Sequence, residues 1–492
     1  MENDFILVLD LGGPQAVTMA RKLRNQQYYT EIISRNADID LFRRKSPRGI
    51  LIVGGDVGVR ADAFPRAVLS LGIPVLAMGG AARMMAEAEG ASPEGVLLSE
   101  TAAQITFAPC DLFEGLTISD RYLPRIDGFA LPEGYKPIAS TTGGLIPAFA
   151  DFDRNLYGLQ FYAESNDPDG AAILSNFAER ICGCTPKWTI ENYIEEEVRF
   201  VQERVGHSSA LMAVSGGVDS AVCAALMRRA IGDRLRCVFV DTGLLRENEA
   251  ERVRNTYEGA LGMPLICVDA RVRFIQRLRG ISDPVEKHRA VHNEFINVFS
   301  EVSQAHPDAE FLVKGTIYSD LLANGAADEA YARRFDSGTL LEPVRMLFKE
   351  EVRSAAEALE LPAALVARQP FPAPGLAVRC GGEVTPEKLA LLRQVDAVFR
   401  ETMAENNQEK RLSQFFAVLP DGRALTVRGS RAEFGRICAL RAVMEHGDSF
   451  TVGKLPYDLL DRASERILTE VPQISRVLYD ISGGTCGAVE WE

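Results

Sequence analysis

No stretch of the 492-residue chain approaches the roughly 20 consecutive apolar residues that a membrane-spanning helix needs. The opening MENDFILVLDLGG places acids before a short apolar strand, where a secretory signal would have a basic region and a longer apolar core. Cysteine is scarce: nine residues scattered along the chain argue against a disulfide framework. We therefore expect a protein of the reducing cytoplasm with no membrane partner.

The sequence also lacks an excess of basic residues, since its formal net charge is -14. Nucleic-acid backbones are bound through clustered Lys and Arg, so a nucleic-acid partner is not expected. The negative net charge does not exclude local anion sites, because backbone amides at a helix start can hold a phosphate within an acidic protein. Cys182 and Cys184 have no second Cys or His pair placed to complete a metal site, which favours buried structural cysteines.

Hydrophobic patterning divides the chain into three segments. Residues 1–187 alternate short apolar strands, such as FILVLDL and GILIVGG, with helical patterns. Residues 188–382 repeat this alternation, and residues 383–492 mix a long helix with strand-like runs. Strands that alternate with helices indicate a mainly parallel sheet covered on both faces. The predicted fold class is α/β, with two doubly wound, mainly parallel α/β domains plus a small C-terminal α+β domain.

The stretch GIPVLAMGGAARMMAEA, residues 72–88, has the pattern of a catalytic elbow, in which an apolar strand runs directly into a helix. In α/β enzymes such a turn commonly presents a nucleophile at its tip. Here the tip carries Gly79 and Gly80, which have no side chain to attack a substrate.

The strongest chemical signal is AVSGGVDSAVCAALMRR, residues 213–229, where an apolar strand enters a Ser-Gly-Gly-x-Asp-Ser loop that opens a helix. Hydroxyl donors, close backbone approach at the glycines and the amides of a helix start together predict a phosphate cradle. The loop lacks the lysine of a Walker A motif, so it is not expected to grip a γ-phosphate as kinases and GTPases do. The predicted nucleotide-binding residues are Ser215, Gly216, Gly217, Val218, Asp219, Ser220 and Ala221.

This loop resembles the pyrophosphate loop of the N-type ATP pyrophosphatases. The segments CVFVDTGLLRENE, GISDPVEKHR, GTIYSD, EPVRMLFKEEVR, RQPFPAPGLAVR, KLPYDLL and the final YDIS...VEWE are similar, in order and spacing, to those of the GMP synthase family. The resemblance covers the whole chain. It implies a class I glutamine amidotransferase-like segment at 1–187, an ATP pyrophosphatase segment at 188–382 and a dimerisation segment at 383–492. It also implies a homodimer.

The resemblance gives the glycine elbow a meaning. The family's elbow is PVLGICYGMQ, and PVLAMGGAAR places Gly79 at its nucleophilic cysteine. The family's GVQFHPE, which carries the catalytic His and Glu, reads GLQFYAE here, so Tyr162 replaces the histidine while Glu164 is retained. A thiol needs a neighbouring base to become a thiolate, and the base needs a carboxylate to orient it. Two of these three groups are missing, which predicts an inactive glutaminase.

Two departures concern the acceptor nucleotide. The family's lid motif IKSHHN is absent, and Gly484 stands where the family has a lysine that contacts the nucleotide phosphate. A dianionic phosphate needs cationic or multiple amide donors. Arg428 and Arg431 are candidates to supply the lost charge, and the alternative interpretation is two solvated surface arginines.

The ATP half of the pattern is intact. Asp219 is predicted to help hold Mg²⁺ beside the pyrophosphate, with helix capping as its alternative role. Lys349 and Glu350 match a catalytic segment of the family, where a lysine neutralises charge developing on the α-phosphate. Taken alone, FKEE is more often an exposed helix start, and only its place in the series of segments favours a catalytic role. By the same resemblance Arg368, Gln369 and Glu490 are the predicted substrate-binding residues, although the prolines around Arg368 also fit a rigid corner.

The expected activity is an ammonia-dependent GMP synthase, in which MgATP adenylylates XMP and ammonia displaces AMP to give GMP. The expected ligands are thus ATP, Mg²⁺, XMP and ammonia. A second hypothesis keeps adenylylation but changes the acceptor. A third is a non-catalytic paralogue that binds nucleotide or pairs with an active synthase.

Overall fold

The computed structural model describes residues 4–37, 39–55, 64–163, 168–318, 320, 339–366, 368–428, 430–446, 449–483 and 490–492. These residues form two compact units, Met1–Asn192 and Tyr193–Glu492. Within the described ranges no helix is long and apolar enough to cross a membrane.

The first unit is built on a nine-stranded mixed sheet of order β2-β1-β3-β4-β9-β8-β7-β5-β6. The strands are β1 (Ile6–Asp10), β2 (Thr30–Ser34), β3 (Gly49–Val53), β4 (Val75–Met78), β5 (Pro93–Phe107), β6 (Ile118–Phe129), β7 (Lys136–Thr141), β8 (Ala148–Asp151) and β9 (Leu156–Leu159). The helices are α1 (Gln15–Asn25), α2 (Ile39–Lys45), α3 (Gly80–Ala88) and α4 (Pro168–Asn176), while α5 (Ile190–Val205) crosses into the second unit. Strands β2, β1, β3, β4 and β9 are parallel, and the remaining four are added antiparallel.

The second unit contains a five-stranded, fully parallel sheet of order β12-β11-β10-β13-β14. Its strands are β10 (Ser209–Ala213), β11 (Leu235–Asp241), β12 (Leu265–Asp269), β13 (Ala309–Val313) and β14 (Thr339–Leu341). Its helices are α6 (Val218–Ile231), α7 (Glu249–Arg254), α8 (Arg271–Leu278), α9 (Pro284–Ala305), α10 (Lys349–Ala358) and α11 (Ala363–Val366). The inner strands are almost continuously apolar because a parallel sheet is covered on both faces.

A smaller mixed sheet completes the second unit, with β17 at its centre. The strands are β15 (Gln414–Val418), β16 (Arg423–Arg428), β17 (Arg431–His446), β18 (Ser449–Val452) and β19 (Ile474–Asp480), and the helices are α12 (Pro386–Glu405) and α13 (Tyr457–Glu470). The fold class predicted from the sequence is confirmed: mainly parallel α/β sheets with a small C-terminal α+β region.

One hydrophobic core runs through the second unit, from Leu211 on β10 to Ile474 on β19. Helix α12 begins at a favourable N-cap, where the Thr385 side chain accepts a hydrogen bond from the backbone N–H of Lys388 and Pro386 occupies the first turn. This helix packs on β15 and α13 and belongs to the same core. The predicted boundary at residue 382 therefore divides segments that share a core, and it stays a prediction.

Candidate active site

The candidate site lies at the carboxyl ends of β10 and β13. The chain order runs outward from β10 to β11 and β12, then returns to the other side of β10 with β13 and β14. Such a reversal in strand order opens a crevice beyond the strand ends, where α/β proteins commonly bind ligands. The loop after β10 is the predicted phosphate cradle, and the loop after β13 carries Lys314, Gly315 and Thr316.

The cradle is organised by its two serines. The Oγ atoms of Ser215 and Ser220 lie 3.2 Å apart, and the backbone N–H of Gly217 donates to Ser215 Oγ at 3.3 Å. Ser220 donates in turn to the Gly217 carbonyl at 2.9 Å, and its Oγ lies 3.5 Å from the hydroxyl of the buried Tyr257. The hydroxyls therefore fix a tight turn that leads into α6.

Helix α6 begins directly from this turn, with Gly217 at the N-cap in an extended conformation. Val218, Asp219 and Ser220 open its first turn, where backbone N–H groups have no partner within the helix, and the Ala221 N–H makes the first helical hydrogen bond, to the Gly217 carbonyl at 3.1 Å. An anion at this end is favoured by those donors and by the helix dipole. All seven predicted loop residues lie in this turn or at the start of α6, and their binding of a phosphate stays a prediction.

Lys349 and Asp219 are brought together from opposite sides of the site. The Lys349 ammonium donates to both carboxylate oxygens of Asp219, at 2.7 and 2.6 Å. Lys349 is the first residue of α10, where the helix dipole disfavours a positive charge. A cation at such a position indicates a requirement other than helix stability. Glu350, the next residue, is exposed and does not line the cavity.

Arg368 contacts the loop itself. Its Nη1 donates to the Gly216 carbonyl, and its Nη2 pairs with the carboxylate of Glu249, which is 4% exposed. Burial, with a smaller contribution from Arg400, lowers the pKa of Arg368 to about 10, so it remains charged at neutral pH. Gly216 has φ +74°, a left-handed conformation that favours glycine.

These groups surround a cavity of about 360 Å³. Among the described residues, its charged lining comprises the cations Lys314, Lys349 and Arg368 and the acids Asp219 and Asp320. Apolar residues such as Phe239, Val240 and Leu245 line other parts of it. A cavity that has cations and acids in its lining, an anion cradle beside it and an apolar portion suits a nucleotide.

The other two predicted substrate residues lie in different environments. Gln369 lines the cavity, and its Oε1 accepts a hydrogen bond from the backbone N–H of Phe415 at 3.3 Å. Both carboxylate oxygens of Glu490 pair with Arg379, which is fully buried, at 2.8 Å each. Glu490 does not line this cavity, so its predicted contact with substrate stays a prediction.

The glycine elbow has the expected backbone, but a neighbouring side chain fills the space at its tip. Gly79 follows β4 with φ +62° and ψ −132°, and α3 begins at the next residue. A Cβ added at Gly79 would lie 2.6 Å from Cε2 of Tyr162, and closer still to Cζ and the hydroxyl oxygen. The tyrosine ring therefore occupies the space that a nucleophilic side chain at this tip would need.

The structure also places two further glycines of the first unit and the two cysteines singled out from the sequence. Gly54 and Gly55 follow β3 with φ +94° and +77°, and the Gly55 N–H already donates to the Gly12 carbonyl at 3.4 Å. Glu164 lies outside the described residues. Cys182 and Cys184 are buried free cysteines, and burial raises the pKa of the Cys184 thiol to about 12.

The two arginines predicted to replace the lost lysine charge lie next to each other in the small sheet. Arg428 and Arg431 are paired in register at the ends of β16 and β17. Gly484 lies outside the described residues. The replacement of charge therefore stays a prediction.

The structure adds residues that sequence reasoning missed. Lys314 and Thr316 line the cavity from the loop after β13, and Thr316 Oγ1 donates to Glu342 at 2.6 Å. The role of Glu249 was not predicted, because an acidic residue in the first turn of a helix such as α7 is common. The carboxyl-end rule for parallel strands is the signal that would have found Lys314.

No cluster of three or more potential metal-ligating side chains occurs in the described parts of the chain. Mg²⁺ does not require one, because it commonly binds one or two carboxylates together with substrate phosphates and waters. Asp219, at the mouth of the cradle, is a carboxylate suited to that arrangement. Its present partner is Lys349, so the residues fit a metal that arrives together with a nucleotide.

Comparisons with known proteins cover the whole chain. A model described as the GMP synthase C terminal domain matches residues 401–491. The chain is 40% identical over 514 residues to a glutamine-hydrolysing GMP synthase of Thermomicrobium roseum, covering 99% of this chain and 97% of that protein. It is 38% identical over 516 residues to the enzyme of the same name from Acetivibrio thermocellus, with 100% of both chains covered.

A third relative, the glutamine-hydrolysing GMP synthase of Clostridium acetobutylicum, is 36% identical over 511 residues with 100% of both chains covered. A crystal structure from Thermoplasma acidophilum, described as one GMP synthase subunit, is 24% identical and covers 37% of this chain and 96% of its own. Its TM-score of 0.32 is too low to support a structural argument.

Proposed function

The chain belongs to the GMP synthase family, and we propose that it aminates XMP to GMP with ammonia rather than glutamine as the nitrogen source. Members of this family are carbon–nitrogen ligases that use ATP. The observation that carries the proposal is the intact phosphate cradle and its Lys349–Asp219 pair beside the cavity.

The proposed reaction has two steps, adenylylation of XMP and displacement of AMP by ammonia. The O2 oxygen of XMP attacks the α-phosphorus of ATP, forming adenylyl-XMP and releasing pyrophosphate. Ammonia then attacks C2 of the purine, AMP leaves with the oxygen, and the nitrogen loses its surplus protons to solvent. The adenylyl group thus converts a poor leaving oxygen into a good one.

In this scheme the loop residues 215–221 hold the pyrophosphate portion of ATP through backbone amides and the two serine hydroxyls. Lys349, which pairs with Asp219 in this structure, would contact an oxygen of the α-phosphate instead as negative charge develops there; its contact with a loop residue supports this role. Mg²⁺ bound with the nucleotide would neutralise phosphate charge, with Asp219 as its protein ligand.

The nitrogen source is inferred from the first unit. Gly79 offers no nucleophile, and Tyr162 offers a phenol where the family resemblance places a histidine base. The ring of Tyr162 also fills the space beside the elbow tip. Without a thiol or a base, the acyl-enzyme route to ammonia is closed, and free ammonia must serve.

For the acceptor, we propose that XMP binds near Gln369 and the Glu490 segment, with Arg428 and Arg431 supplying charge to its phosphate. The resemblance supports Gln369 and Glu490, and the loss of the lysine at position 484 motivates the two arginines. Arg428→Ala should then weaken XMP binding by about 1.5–3 kcal/mol, the range for a charged hydrogen bond.

We also propose a homodimer that forms through the C-terminal sheet. Leu425, Val427 and Phe434 share one face of β16 and β17 and are 51%, 67% and 69% exposed. Leu425 and Phe434 are directly opposite in register. Contiguous exposed apolar side chains of this kind commonly mark an interface. Phe434→Glu should convert a dimer to a monomer in analytical ultracentrifugation, and an unchanged mass would contradict the assignment.

The decisive experiment measures AMP formed from ATP, with and without XMP, and with either ammonium or glutamine as nitrogen donor. We expect XMP-dependent AMP with ammonium and no glutamate released from glutamine. Adenylylation without stimulation by XMP would instead favour a different acceptor. Absence of AMP formation under every condition, with or without ATP binding, would indicate a non-catalytic paralogue.

A further inference from the structure

The peptide unit between Gly216 and Gly217 is held at its oxygen by Arg368. The carbonyl of Gly216 accepts a hydrogen bond from Nη1 of this arginine, which reaches the loop from the segment after α11. The same peptide donates its N–H, that of Gly217, to Ser215 Oγ at 3.3 Å. Both polar groups of one peptide are therefore engaged by different side chains.

A trans peptide points its carbonyl and its N–H in opposite directions, so fixing one fixes the other. The described residues contain no cis peptide bond. Rotation of this peptide by half a turn would direct the Gly216 oxygen to the side now taken by the Gly217 N–H. An oxygen on that side would lose the hydrogen bond to Ser215 Oγ and would repel the oxygens of a phosphate bound at the loop. The Gly216–Gly217 orientation is consequently one that the cradle needs.

Glycine at position 216 makes that orientation accessible but does not enforce it. Glycine populates positive and negative φ about equally, so φ +74° at Gly216 carries little intrinsic preference. The surroundings impose it instead: a Cβ added here would lie 2.7 Å from Arg368 Nη1 and closer still to Val253 Cγ2. The backbone of the loop is thus packed between Arg368 and helix α7.

Arg368 is itself oriented by a buried carboxylate. Glu249, 4% exposed at the start of α7, accepts from Arg368 Nη2 through Oε1 and from the backbone N–H of Arg246 through Oε2, the latter at 2.9 Å. A guanidinium can bridge two acceptors with a fixed fork of donors, which an ammonium cannot do. Both oxygens of Glu249 are used, so the carboxylate is held as firmly as the arginine.

We propose that Arg368 and Glu249 are a positioning pair that sets the Gly216–Gly217 peptide in the orientation required to bind the nucleotide phosphates. This deepens the proposed function, since it rests on the loop being the ATP site. It also changes the role predicted for Arg368 from the sequence, from an acceptor-binding residue to one that acts through the loop.

The test uses one variant that keeps the positive charge at position 368 and one that keeps the shape of the side chain at position 249. Arg368→Lys retains a positive charge but loses the guanidinium that bridges the Gly216 carbonyl and Glu249. Glu249→Gln retains the shape of the side chain but loses its negative charge. We expect each to weaken binding of a non-hydrolysable MgATP analogue by about tenfold or more in calorimetry, with the KM for XMP unchanged. Glu251→Gln, an exposed acid on the same helix α7, is the matched control and should bind like the wild type.

Two further readouts separate positioning from general stability. The Arg368→Lys/Glu249→Gln double variant should lose little more affinity than either single variant, because the two residues act as one unit. In Arg368→Ala, added guanidinium at millimolar concentration should restore part of the analogue affinity, which it would not do for a protein that is merely less stable. If Glu249→Gln fails to fold, the Arg368 variants carry the test alone.

Several results would overturn the inference. Analogue affinity unchanged in Arg368→Lys means that charge alone suffices and the bridge has no role. A raised KM for XMP with unchanged nucleotide affinity means that Arg368 binds the acceptor. If the wild type itself does not bind the MgATP analogue, the proposed function fails first, and that failure is visible before any variant is compared.

Discussion

The molecule contains two turns of the same kind with opposite outcomes. In each, a buried parallel strand ends in glycines, one of which has positive φ, and a helix begins at once: Gly79 after β4 and Gly216 after β10. The turn at Gly216 opens on a cavity of about 360 Å³. The turn at Gly79 faces the ring of Tyr162 at less than contact distance for an added Cβ. Backbone geometry alone therefore does not make a site.

The difference lies in what the neighbouring elements contribute. A Cβ added at Gly216 would also meet a neighbour, Val253, so the two glycines are alike in that respect. The loop around Gly216 nevertheless borders a cavity that Lys349, Arg368 and Lys314 help to line. Helix α3, which follows Gly79, is buried in an apolar core through Ala81, Ala82, Met84 and Met85. An elbow that loses its chemistry can persist because its strand and helix still bury a hydrophobic face, whose stabilisation does not depend on the tip.

The largest expected effect concerns the open turn. Lys349→Ala should lower the rate of pyrophosphate release by about 100- to 1,000-fold, the usual loss when one group that stabilises developing charge is removed. The measurement is pyrophosphate release in the presence of ATP, XMP and ammonium. Lys410→Ala, an exposed lysine of the same unit, serves as control.

Asp219→Asn tests the partner of that lysine. Because the two side chains are in direct contact, the double variant should lose less than the product of the two single effects. Additive losses would show that the ion pair is incidental to the reaction, and a Lys349→Ala rate within about threefold of the wild type would remove Lys349 from the mechanism.

The closed turn is the subject of the second prediction. Gly79→Cys should lower the free energy of unfolding by about 1–3 kcal/mol, because the new Cβ meets Tyr162 and the residue keeps φ +62°. Gly72→Cys is a matched control, since Gly72 has φ +69° with nothing within 4 Å of an added Cβ. The difference between the two losses in urea unfolding isolates the clash from the backbone strain.

Adding Tyr162→His to Gly79→Cys should recover the part of the loss that comes from the clash. It also restores a thiol beside an imidazole, so slow glutamate release from glutamine becomes observable if the oxyanion donors align. Glutamate release by the wild type, or a Gly79→Cys variant as stable as Gly72→Cys, would contradict our interpretation of the elbow.

The same two turns show which features of a site can be predicted from the sequence and which cannot. The Gly79 and Ser215–Ser220 turns were both predicted, because an apolar run that ends in glycines and opens into a helix is a local pattern. The resemblance placed Tyr162 in the same site as Gly79, but the filling of the space at Gly79 by the tyrosine ring and the contact of Glu249 with Arg368 were not predicted. The ring of Tyr162 beside Gly79 brings together residues 83 positions apart, and Glu249 meets Arg368 across 119 positions. Such pairings depend on packing and carry no local signal.

The fold class was predicted for a related reason. Alternating strands and helices determine a layered α/β arrangement through burial alone. The long hairpin of β5 and β6 was missed, since its residues, such as LLSETAAQITF, mix polar and apolar positions without the continuous apolar run of a central strand. The shared core of the second unit also has no local signal, because it joins residues from Leu211 to Ile474.

The smallest expected effect concerns a carboxyl group next to α6, the helix that follows the open turn. Glu197 on α5 is half-buried, and desolvation, only partly opposed by Arg345, raises its pKa to about 7. Its charge is also felt by Cys223 on α6, the helix that begins at the phosphate loop, whose thiol pKa is raised chiefly by burial. The helix that begins at the open turn thus has an ionisable neighbour with a raised pKa, whereas the acids on and beside α3, Glu87 and Asp127, form ion pairs with Arg83.

The sign of the pH effect follows from proton linkage. The folded protein holds the Glu197 proton more tightly than the unfolded chain, whose glutamate titrates near pH 4.5. Stability is therefore lost as the pH rises from about 4.5 to about 7, by on the order of 1–3 kcal/mol. Glu197→Gln should remove that loss, and be more stable than the wild type at about pH 8 but not at pH 4.5. Urea unfolding at both pH values measures it, with the exposed Glu203→Gln on the same helix as control. Equal pH dependence in wild type and Glu197→Gln would mean that the carboxyl is solvated, and that the helices behind the two turns do not differ in this respect.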